Sequence, residues 1–387
     1  MKLFYIVNAR IPTEKAHGYQ IVKMCEEFAK TGCDVELVAP SRSNDIKQDL
    51  FQYYGIKRIF KFKIIKSADF LKYDRIIGKA GLYLQWLFFT LKMLFIKIDK
   101  DTLIYTRDQG AVWAFSLRGY KVCYECHGWF EKKTGLILPL LKRANWMIIT
   151  NNFIKNQFVK HKFDVNKILV APNGINLKIF SLAITKAEAR EKLDLKQEIN
   201  LENDNKLLLY TGSFKTMGFE KGIGIILEAL KKLKDGNIIF LAVGGNNEDI
   251  RYYKTMADNL GLLRQTYFLP RQSQEKLAVF QKAADILLMP FPKIAHYEYF
   301  MVPLKMFEYM ASQRPIISSD LPSIREILNG QNCIFCQPGD AEDLAKKIKQ
   351  VLNNPTLGEK LAGQAYQDVL QYSWDKRARK ILEFISG

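Results

Sequence analysis

The stretch LFYIVNARIPTEKAHGYQIVKMCEEFAKTGCDVELVAP (3–40) decides the fold class of this 387-residue chain. It contains an apolar strand (3–9), a polar loop, a helix that Gly32 closes, and a second apolar strand (34–40). A strand, a helix and a strand within about forty residues form a βαβ unit, whose strands run parallel. The sequence therefore predicts an α/β fold built on a doubly wound parallel sheet.

The alternation of strands and helices continues and then starts again in the second half. Further strands of the first half are predicted at 101–107, 121–127, 146–151 and 168–174. Those of the second half are predicted at 206–212, 237–245, 266–272, 286–292, 314–320 and 332–339. We predict two Rossmann-like domains at 1–176 and 206–370, a linker region at 177–205, and a C-terminal helix at 371–387 that packs back on the first domain. Ligands are expected at the carboxyl ends of the strands.

The net charge of +18 is concentrated in the first half of the chain. Residues 1–180 carry a balance of +15, and residues 51–100 alone hold 11 basic and 3 acidic side chains. Such a field favours anionic partners such as acidic lipid, nucleic acid or a phosphorylated sugar. No recognised nucleic-acid-binding module accompanies the charge, so we expect no nucleic-acid partner.

Two patterns suggest metal binding at first sight. The pairs Cys123/Cys126 and Cys333/Cys336 have CxxC spacing, but the first lies in a strand whose pleat puts its members on opposite faces. Buried free thiols in a reducing cytoplasm are the preferred interpretation. Asp99 and Asp101 form a DxD pair, which precedes a strand instead of following one, so a surface turn is expected. We therefore expect no catalytic metal.

The segment GLYLQWLFFTLKMLFIKI (81–98) departs from the pattern because Lys92 and Lys97 are its only charged residues. Three interpretations remain open. It is a helix buried under the sheet, a helix lying on an anionic membrane surface, or a spanning helix, for which it is short.

Five motifs occur along the chain in a fixed order. They are RIPTEKAHGYQ (10–20), YECHG (124–128), APNGIN (171–176), YTGSFKTMGFEKG (210–222) and VPLKMFEYMAS (302–312). Together they resemble the retaining glycosyltransferases of family 4, in the subgroup with a PLKxFEYMA-type donor motif. The resemblance covers nearly the whole chain and implies the GT-B fold, with two facing Rossmann-like domains and an interdomain cleft.

The resemblance implies that the second half binds a nucleotide diphosphate sugar. Lys221 lies at the start of a predicted helix, where a cation opposes the helix dipole and calls for an anion nearby. In the family this lysine contacts the diphosphate and stabilises the departing nucleotide. Pro303 starts another helix, so the amides of Leu304 and Lys305 are unpaired donors for phosphate. Glu308, one turn further, is expected to accept hydrogen bonds from the ribose hydroxyls.

The chain departs from the family pattern at two positions of this donor site. Phe300 stands where a first glutamate usually lies, eight residues before Glu308, and Glu298 is the nearest upstream acid. Ser213 stands where an arginine is common, and Lys215 either compensates or is an exposed loop lysine. The other residues assigned to the donor are Gly212, Gly222, Gly244, Pro270, Arg271 and Gln272.

The acceptor side is expected on the first half. His127 ends a predicted strand, where doubly wound folds bind ligands. Either it touches the transferred sugar or the diphosphate, as the resemblance implies, or it is a structural histidine. The same rim is predicted to include His17, Gly18, Arg107 and Asn173. The residues expected to carry catalysis are His127, Lys221 and Glu308.

These observations predict a hexosyltransferase-type enzyme. It would move a sugar from a UDP- or GDP-linked donor to a hydroxyl of a glycan or lipid-linked saccharide, with retention of configuration. Synthesis of cell-surface polysaccharide or glycolipid, in the cytoplasm at the inner face of the membrane, would suit the basic first half. Two alternatives are a non-catalytic nucleotide-sugar-binding or scaffold relative and, with less support, a basic nucleic-acid-binding protein.

Overall fold

The computed structural model describes residues 1–70, 78, 80–129, 134–202, 204–216 and 218–387. They form two compact units, the first of residues 1–173 with 374–387 and the second of residues 174–373. Each unit contains one parallel sheet with helices, which confirms the predicted α/β class.

The first unit has a seven-stranded sheet in the order β3-β2-β1-β4-β5-β6-β7. Its strands are β1 (Lys2–Ile6), β2 (Asp34–Pro40), β3 (Lys61–Ile65), β4 (Leu103–Thr106), β5 (Val122–Cys126), β6 (Trp146–Ile149) and β7 (Ile168–Val170). Its helices up to residue 160 are α1 (Ala16–Lys30), α2 (Leu50–Tyr54), α3 (Ala80–Met93), α4 (Gln109–Leu117), α5 (Thr134–Leu141) and α6 (Asn152–Lys160). The winding reverses between β1 and β4, so ligands are expected at the carboxyl ends of these strands.

The second unit has a six-stranded sheet in the order β12-β11-β8-β13-β14-β15 and a two-stranded hairpin. Its strands are β8 (Lys206–Thr211), β9 (Lys215–Thr216), β10 (Phe219–Glu220), β11 (Ile238–Gly245), β12 (Thr266–Pro270), β13 (Ile286–Met289), β14 (Ile316–Ser319) and β15 (Ile334–Cys336). Its helices are α7 (Leu177–Phe180), α8 (Lys186–Lys192), α9 (Leu195–Ile199), α10 (Ile223–Leu233), α11 (Asn247–Asn259), α12 (Gln274–Ala283), α13 (Ala295–Tyr299), α14 (Leu304–Ala311), α15 (Pro322–Arg325), α16 (Ala341–Leu352) and α17 (Pro355–Val369). Numbered from its own first strand, the large sheet has the Rossmann order 3-2-1-4-5-6, and its switch point lies between β8 and β13.

The central strands are apolar without alternation because helices cover both faces of the sheet. In β8, Leu207 and Leu209 belong to one core cluster, whereas Leu208 and Tyr210 belong to the cluster on the other side. Parallel sheets buried on both faces have this composition. This explains why the strand KLLLYT is apolar on both of its faces.

The stretch 177–205, predicted as a linker, is instead folded into the second unit. It forms the short helices α7, α8 and α9, and Phe180, Ala189, Leu195 and Ile199 are buried in the core of that unit. Its polar composition suggested low order because the apolar residues are widely spaced. Each of them nevertheless covers the edge of the core, so the boundary between units lies at 173–174.

The C-terminal helix α18 (Trp374–Ser386) belongs to the first unit although it follows the second in sequence. The Trp374 ring packs against Tyr19 of α1, with 6.3 Å between ring centroids. Arg377 donates to the carbonyl oxygens of Ala171 and Pro172, at 3.3 and 2.9 Å. Apolar burial and these hydrogen bonds hold the chain terminus on the first unit.

Helix α3 is buried on one side only, so the interpretation as a helix buried under the sheet applies to one of its faces and not to the other. Gln85, Phe89, Thr90 and Met93 are buried. Leu84, Leu87, Phe88 and Leu91 are exposed by 37–48%. Within the part of the chain that the structure describes, no helix has the length and apolar character needed to cross a membrane.

Candidate active site

In the second unit the carboxyl end of β8 is built from glycines that let two strands approach closely. Gly212 follows β8 with φ +108°, and Gly244 has φ +125° near the end of β11. A Cβ on Gly244 would lie 2.5 Å from the Gly212 carbonyl oxygen, so no larger residue fits there. The carboxyl ends of β8 and β11 are therefore lined by bare backbone.

Lys221 is held at this edge by the hairpin β9–β10 and the start of α10. Its Nζ donates to Ser213 Oγ at 2.8 Å. Gly222 has φ +94°, and a Cβ there would lie 1.9 Å from the Pro290 carbonyl oxygen at the end of β13. Ser213, which replaces the expected arginine, therefore accepts a hydrogen bond from Lys221, and Gly222 lets the helix begin against the switch point.

Burial lowers the pKa of Lys221. Desolvation, followed by the nearby Arg271 guanidinium, lowers the pKa of the Lys221 ammonium to about 8. A bound anion would raise this pKa and would be attracted by the ammonium group.

Lys305 was predicted from the sequence only as a backbone donor, but its side chain is the more unusual feature. The side chain is buried, and its Nζ lies 3.4 Å from the centroid of the Tyr210 ring. That Nζ has no hydrogen-bond partner among the residues that the structure describes. It points at Gly212, where a Cβ would be 3.5 Å away. Desolvation and the charge of Lys221 hold the Lys305 pKa well below its usual range, although Glu308 opposes them.

Glu308 lies in the second turn of α14, beside the same edge. Its Oε2 accepts a hydrogen bond from Gln281 Nε2 at 3.3 Å, and Gln281 also contacts Thr211 Oγ1 at 3.2 Å. Desolvation raises the pKa of the Glu308 carboxyl to about 7, against the opposing effects of Gln281 and Lys305. Gln281 thus links Glu308 to the end of β8. No sequence motif predicted this contact.

The other residues predicted on the donor side have local partners. The Lys215 ammonium lies 3.7 Å from Asp249 Oδ1 and 4.1 Å from the centroid of the Tyr252 ring. Pro270 ends β12 and Arg271 follows it, and both are exposed; Gln272 donates to the Pro270 carbonyl at 3.3 Å. Pro303 is the N-cap of α14, and Leu304 is its first residue.

The position of the missing first glutamate is filled by an apolar residue. Phe300 is buried at the end of α13. The Glu298 carboxylate accepts a hydrogen bond from Tyr299 Oη at 3.0 Å and lies 3.9 Å from Lys293 Nζ. His296, whose pKa is lowered by desolvation and by the charge of Lys221, is the ionisable side chain from this segment that lies close to Lys221.

In the first unit the buried carboxylate of Glu125 contacts several of the residues predicted on the acceptor side. Glu125 Oε1 lies 2.6 Å from Arg377 Nη2, 3.2 Å from Arg107 Nη2 and 2.7 Å from His127 Nε2. Desolvation alone would raise the pKa of Glu125, but Arg107, Arg377 and His127 outweigh it and hold this pKa well below its usual range. Glu125 was not predicted, although an acid inside the apolar strand KVCYECH was a visible signal.

The network continues to the other predicted residues of this rim. Arg107 Nη1 donates to Gln20 Oε1 at 3.2 Å, and Gln20 Nε2 donates to Asn173 Oδ1 at 3.0 Å. Gly18 is packed under the loop before α1, because a Cβ there would lie 2.2 Å from Tyr54 Oη. The structure therefore links Arg107, His127 and Asn173, and it explains Gly18 by close packing.

Both histidines of this rim are neutral at pH 7. Desolvation, followed by the charge of Arg107, lowers the pKa of His127 and of His17 to about 4. Since the ionised Glu125 only accepts, His127 Nε2 must carry the proton and donate it, which leaves Nδ1 as an acceptor. Neutral His127 is suited to a sugar hydroxyl rather than to charge pairing with a phosphate.

The two patterns that suggested a metal have other partners. Asp99 Oδ2 accepts a hydrogen bond from Lys2 Nζ at 2.6 Å. The six cysteines are free thiols, and burial raises the pKa of Cys126 and of Cys336 to about 12. No cluster of three or more His, Cys, Asp or Glu side chains suited to a metal occurs within the described ranges.

Two family models match the chain in tandem. The model described as Glycosyltransferase Family 4 matches residues 18–179, and the one described as Glycosyl transferases group 1 matches residues 191–368. Together they cover nearly the whole chain. The chain belongs with the GT4-type glycosyltransferases.

Curated glycosyltransferases are similar to parts of this GT4-type chain. The D-inositol 3-phosphate glycosyltransferase of Streptosporangium roseum is 23% identical over 232 residues, which is 57% of this chain and 50% of that protein. The glycogen synthase of Mycobacterium tuberculosis is 29% identical over 164 residues, which is 41% of this chain and 37% of that protein. The chain thus spans half or less of the length of these two relatives.

Solved structures share the fold of this GT4-type chain over its whole length. Anabaena HepE, solved in complex with UDP, has a TM-score of 0.73 at 15% identity, with 100% of both chains covered. The sucrose-phosphate synthase of Thermosynechococcus elongatus has a TM-score of 0.76 at 18% identity, covering 100% of this chain and 98% of that one. These likenesses confirm the predicted GT-B fold.

Proposed function

We propose that the protein is a retaining glycosyltransferase that moves a sugar from a nucleotide diphosphate donor to an acceptor hydroxyl. One observation carries the proposal. Lys221, Lys305 and Glu308 lie together at the carboxyl edge of one Rossmann-type sheet, at its switch point, beside glycines that leave the backbone bare. This is the edge where doubly wound folds bind nucleotides.

The charges at this edge suit the two parts of such a donor. A diphosphate carries about two negative charges, and it would favour the charged form of two ammonium groups whose pKa values are lowered by desolvation. The carboxylate of Glu308 can accept hydrogen bonds from two vicinal ribose hydroxyls. Structural neighbours solved with UDP and with UDP-glucose support a nucleotide-sugar donor, with uracil or guanine as the proposed base.

Retention of configuration is proposed from the residues at hand. In the step we infer, the bond between the anomeric carbon and the phosphate oxygen breaks while the acceptor oxygen bonds to the same face. The leaving phosphate takes the acceptor proton, and Lys221 stabilises the charge that develops on it. Isolation of a covalent adduct between the sugar and a side chain would replace this step with a double displacement.

The acceptor and the location of the enzyme are proposed from the first unit. Neutral His127, oriented by Glu125, offers an acceptor atom to a sugar hydroxyl. A glycan or lipid-linked saccharide of cell-surface polysaccharide or glycolipid synthesis suits the basic character of this unit. Action in the cytoplasm, peripheral to the inner face of the membrane, follows from that acceptor class. Donor turnover without added divalent metal, unchanged by a chelator, is expected because Lys221 and Lys305 supply the positive charge.

A non-catalytic relative is the second candidate, because Phe300 fills the position of a carboxylate in the family. The discriminating experiment incubates the protein with UDP- and GDP-sugars and measures free nucleotide, with and without saccharide acceptors. Acceptor-dependent release supports an enzyme. Binding without any release, from every donor that stabilises the protein thermally, supports the non-catalytic relative.

Replacement of Lys305 by methionine is expected to separate stability from donor binding. Methionine has a similar length and keeps the packing against the Tyr210 ring, while it removes a buried ammonium that has no hydrogen-bond partner among the described residues. The melting temperature should stay equal or rise, and affinity for the nucleotide diphosphate should fall at least about tenfold. Calorimetric titration with UDP and GDP measures the second effect, and unchanged affinity would remove Lys305 from the donor site.

The dependence of kcat/KM for the donor on pH is expected to be bell-shaped, with its maximum between the two pKa values of the free enzyme. Below about 7 Glu308 becomes protonated, and above about 8 Lys221 loses its charge. Because a bound diphosphate favours the charged lysine, kcat should stay high to a higher pH than kcat/KM. Lys221→Arg should remove the alkaline limb, since arginine stays charged. A flat profile of kcat/KM from about pH 6 to about pH 9 would contradict these assignments.

A further inference from the structure

Helix α3 carries an apolar stripe that stays partly exposed, although one of its residues, Phe88, packs against the Phe70 ring with 5.1 Å between ring centroids. Leu84, Leu87, Phe88 and Leu91 follow one another at i, i+3, i+4 and i+7, which places them on one face. They are exposed by 37–48%, and Phe95 in the next turn is exposed by 80%. We call these five residues the α3 stripe. A contiguous apolar surface of this kind marks a contact site.

The exposure of the α3 stripe is not a consequence of a loosely attached helix. On the opposite face the Gln85 side chain accepts a hydrogen bond from the Phe70 amide at 3.0 Å. Thr90 fills the space above Gly110 of α4, where a Cβ would lie 1.9 Å from its Oγ1. Arg118 donates to the carbonyl oxygens of Met93 and Ile96, at 2.7 and 2.6 Å. The helix is fixed by one face and presents the other outward.

The charges around the α3 stripe identify its partner. No acidic residue occurs between Asp74 and Asp99, whereas Lys92 and Lys97 lie within this segment, and both are exposed. Residues 51–100 carry 11 basic and 3 acidic side chains. Leucine and phenylalanine flanked by lysine bind the boundary between the acyl chains and the headgroups of anionic lipid.

A second copy of the chain is a poorer partner for this surface. A two-fold contact would place the same patch on both subunits, so that the lysines of one copy face those of the other. The segment offers no carboxylate between residues 75 and 98 to pair with them.

We propose that the α3 stripe, with Lys92 and Lys97, binds the surface of an anionic lipid bilayer without crossing it. The membrane binding itself does not depend on the proposed function. Only its purpose, to bring the first unit to a lipid-linked acceptor, rests on that function. The surface itself is defined by burial and charge alone.

The test compares flotation of the purified full-length protein with vesicles of phosphatidylcholine alone and with vesicles that also contain phosphatidylglycerol. The wild-type protein should float with the anionic vesicles and at least tenfold less with the neutral ones. The double variant Leu87→Glu/Leu91→Glu should lose at least tenfold of the bound fraction, because both side chains are exposed and the change leaves the core intact. Leu136→Glu, which alters an exposed leucine on α5 of the same unit, is the matched control and should float as the wild type does.

Three results would overturn the proposal. They are equal flotation with both kinds of vesicle, flotation of the double variant at the wild-type level, and a wild-type dimer that the double variant dissociates while neither floats. Titration with UDP and GDP in the absence of vesicles is run in parallel. Failure of both nucleotides to bind the wild-type protein would count against the proposed function and leave the flotation result standing.

Discussion

Lys221→Ala is expected to lower kcat by about 100- to 1,000-fold, which is the usual effect of removing one group that stabilises charge in a transition state. In the proposed reaction the leaving diphosphate gains negative charge, and Lys221 is the cation held at the switch point by Ser213 and Gly222. The melting temperature should not fall, because removal of a partly desolvated ammonium costs little. Steady-state kinetics with the donor identified by thermal shift measures the loss.

The matched control for this variant is Lys231→Ala. Lys231 is exposed in the last turn of the same helix, α10, at the end opposite Lys221. It should keep kcat within about twofold of the wild type, since the change is on the solvated surface. Equal loss in both variants would show that the charge of the helix as a whole, and not Lys221, supports turnover.

Glu125→Gln is expected to lower the free energy of unfolding of the first unit by about 3–5 kcal/mol, the usual cost of breaking a buried ion pair from one side. Arg107 and Arg377 would then lie buried without the carboxylate that both contact. The lowered pKa of Glu125 also sets how the stability depends on pH. The stabilisation by ionised Glu125 is present above the ordinary pKa of a glutamate, and it is lost as the pH falls through the pKa in the folded state.

Tryptophan fluorescence measures the loss of stability in Glu125→Gln for the first unit alone. All five tryptophans, at positions 86, 113, 129, 146 and 374, belong to that unit. Denaturant unfolding followed at this signal therefore reports on the unit that contains Glu125. Glu383→Gln, an exposed glutamate on α18, is the control and should shift the midpoint little. A midpoint for Glu125→Gln equal to that of the control would mean that the network adds no net stability.

The fold could be predicted because its signals are local. Each strand is a short apolar run, each helix has its own boundary residues, and the order of a Rossmann sheet follows from right-handed crossovers. The segment 177–205 was misjudged for the same reason. Its few apolar residues are meaningful only once they contact the core of the second unit.

The candidate site could be predicted only where a motif carries it. Lys221 and Glu308 lie in motifs that resemble those of the family, whereas Gln281, which fixes Glu308, is 27 residues away on another helix. Arg377 contacts Glu125 across 252 positions. The burial of the Lys305 side chain depends on Tyr210, which comes from a different strand. Such contacts are created by the tertiary fold and leave no spacing in the sequence.

A crystal structure of the protein with the nucleotide diphosphate sugar that stabilises it most would locate the donor directly. Diphosphate oxygens should lie within hydrogen-bond distance of Lys221 Nζ, and ribose hydroxyls should lie about 2.6–3.2 Å from the Glu308 carboxylate. A nucleotide bound elsewhere, with Lys221 and Glu308 contacting only protein, would contradict this prediction.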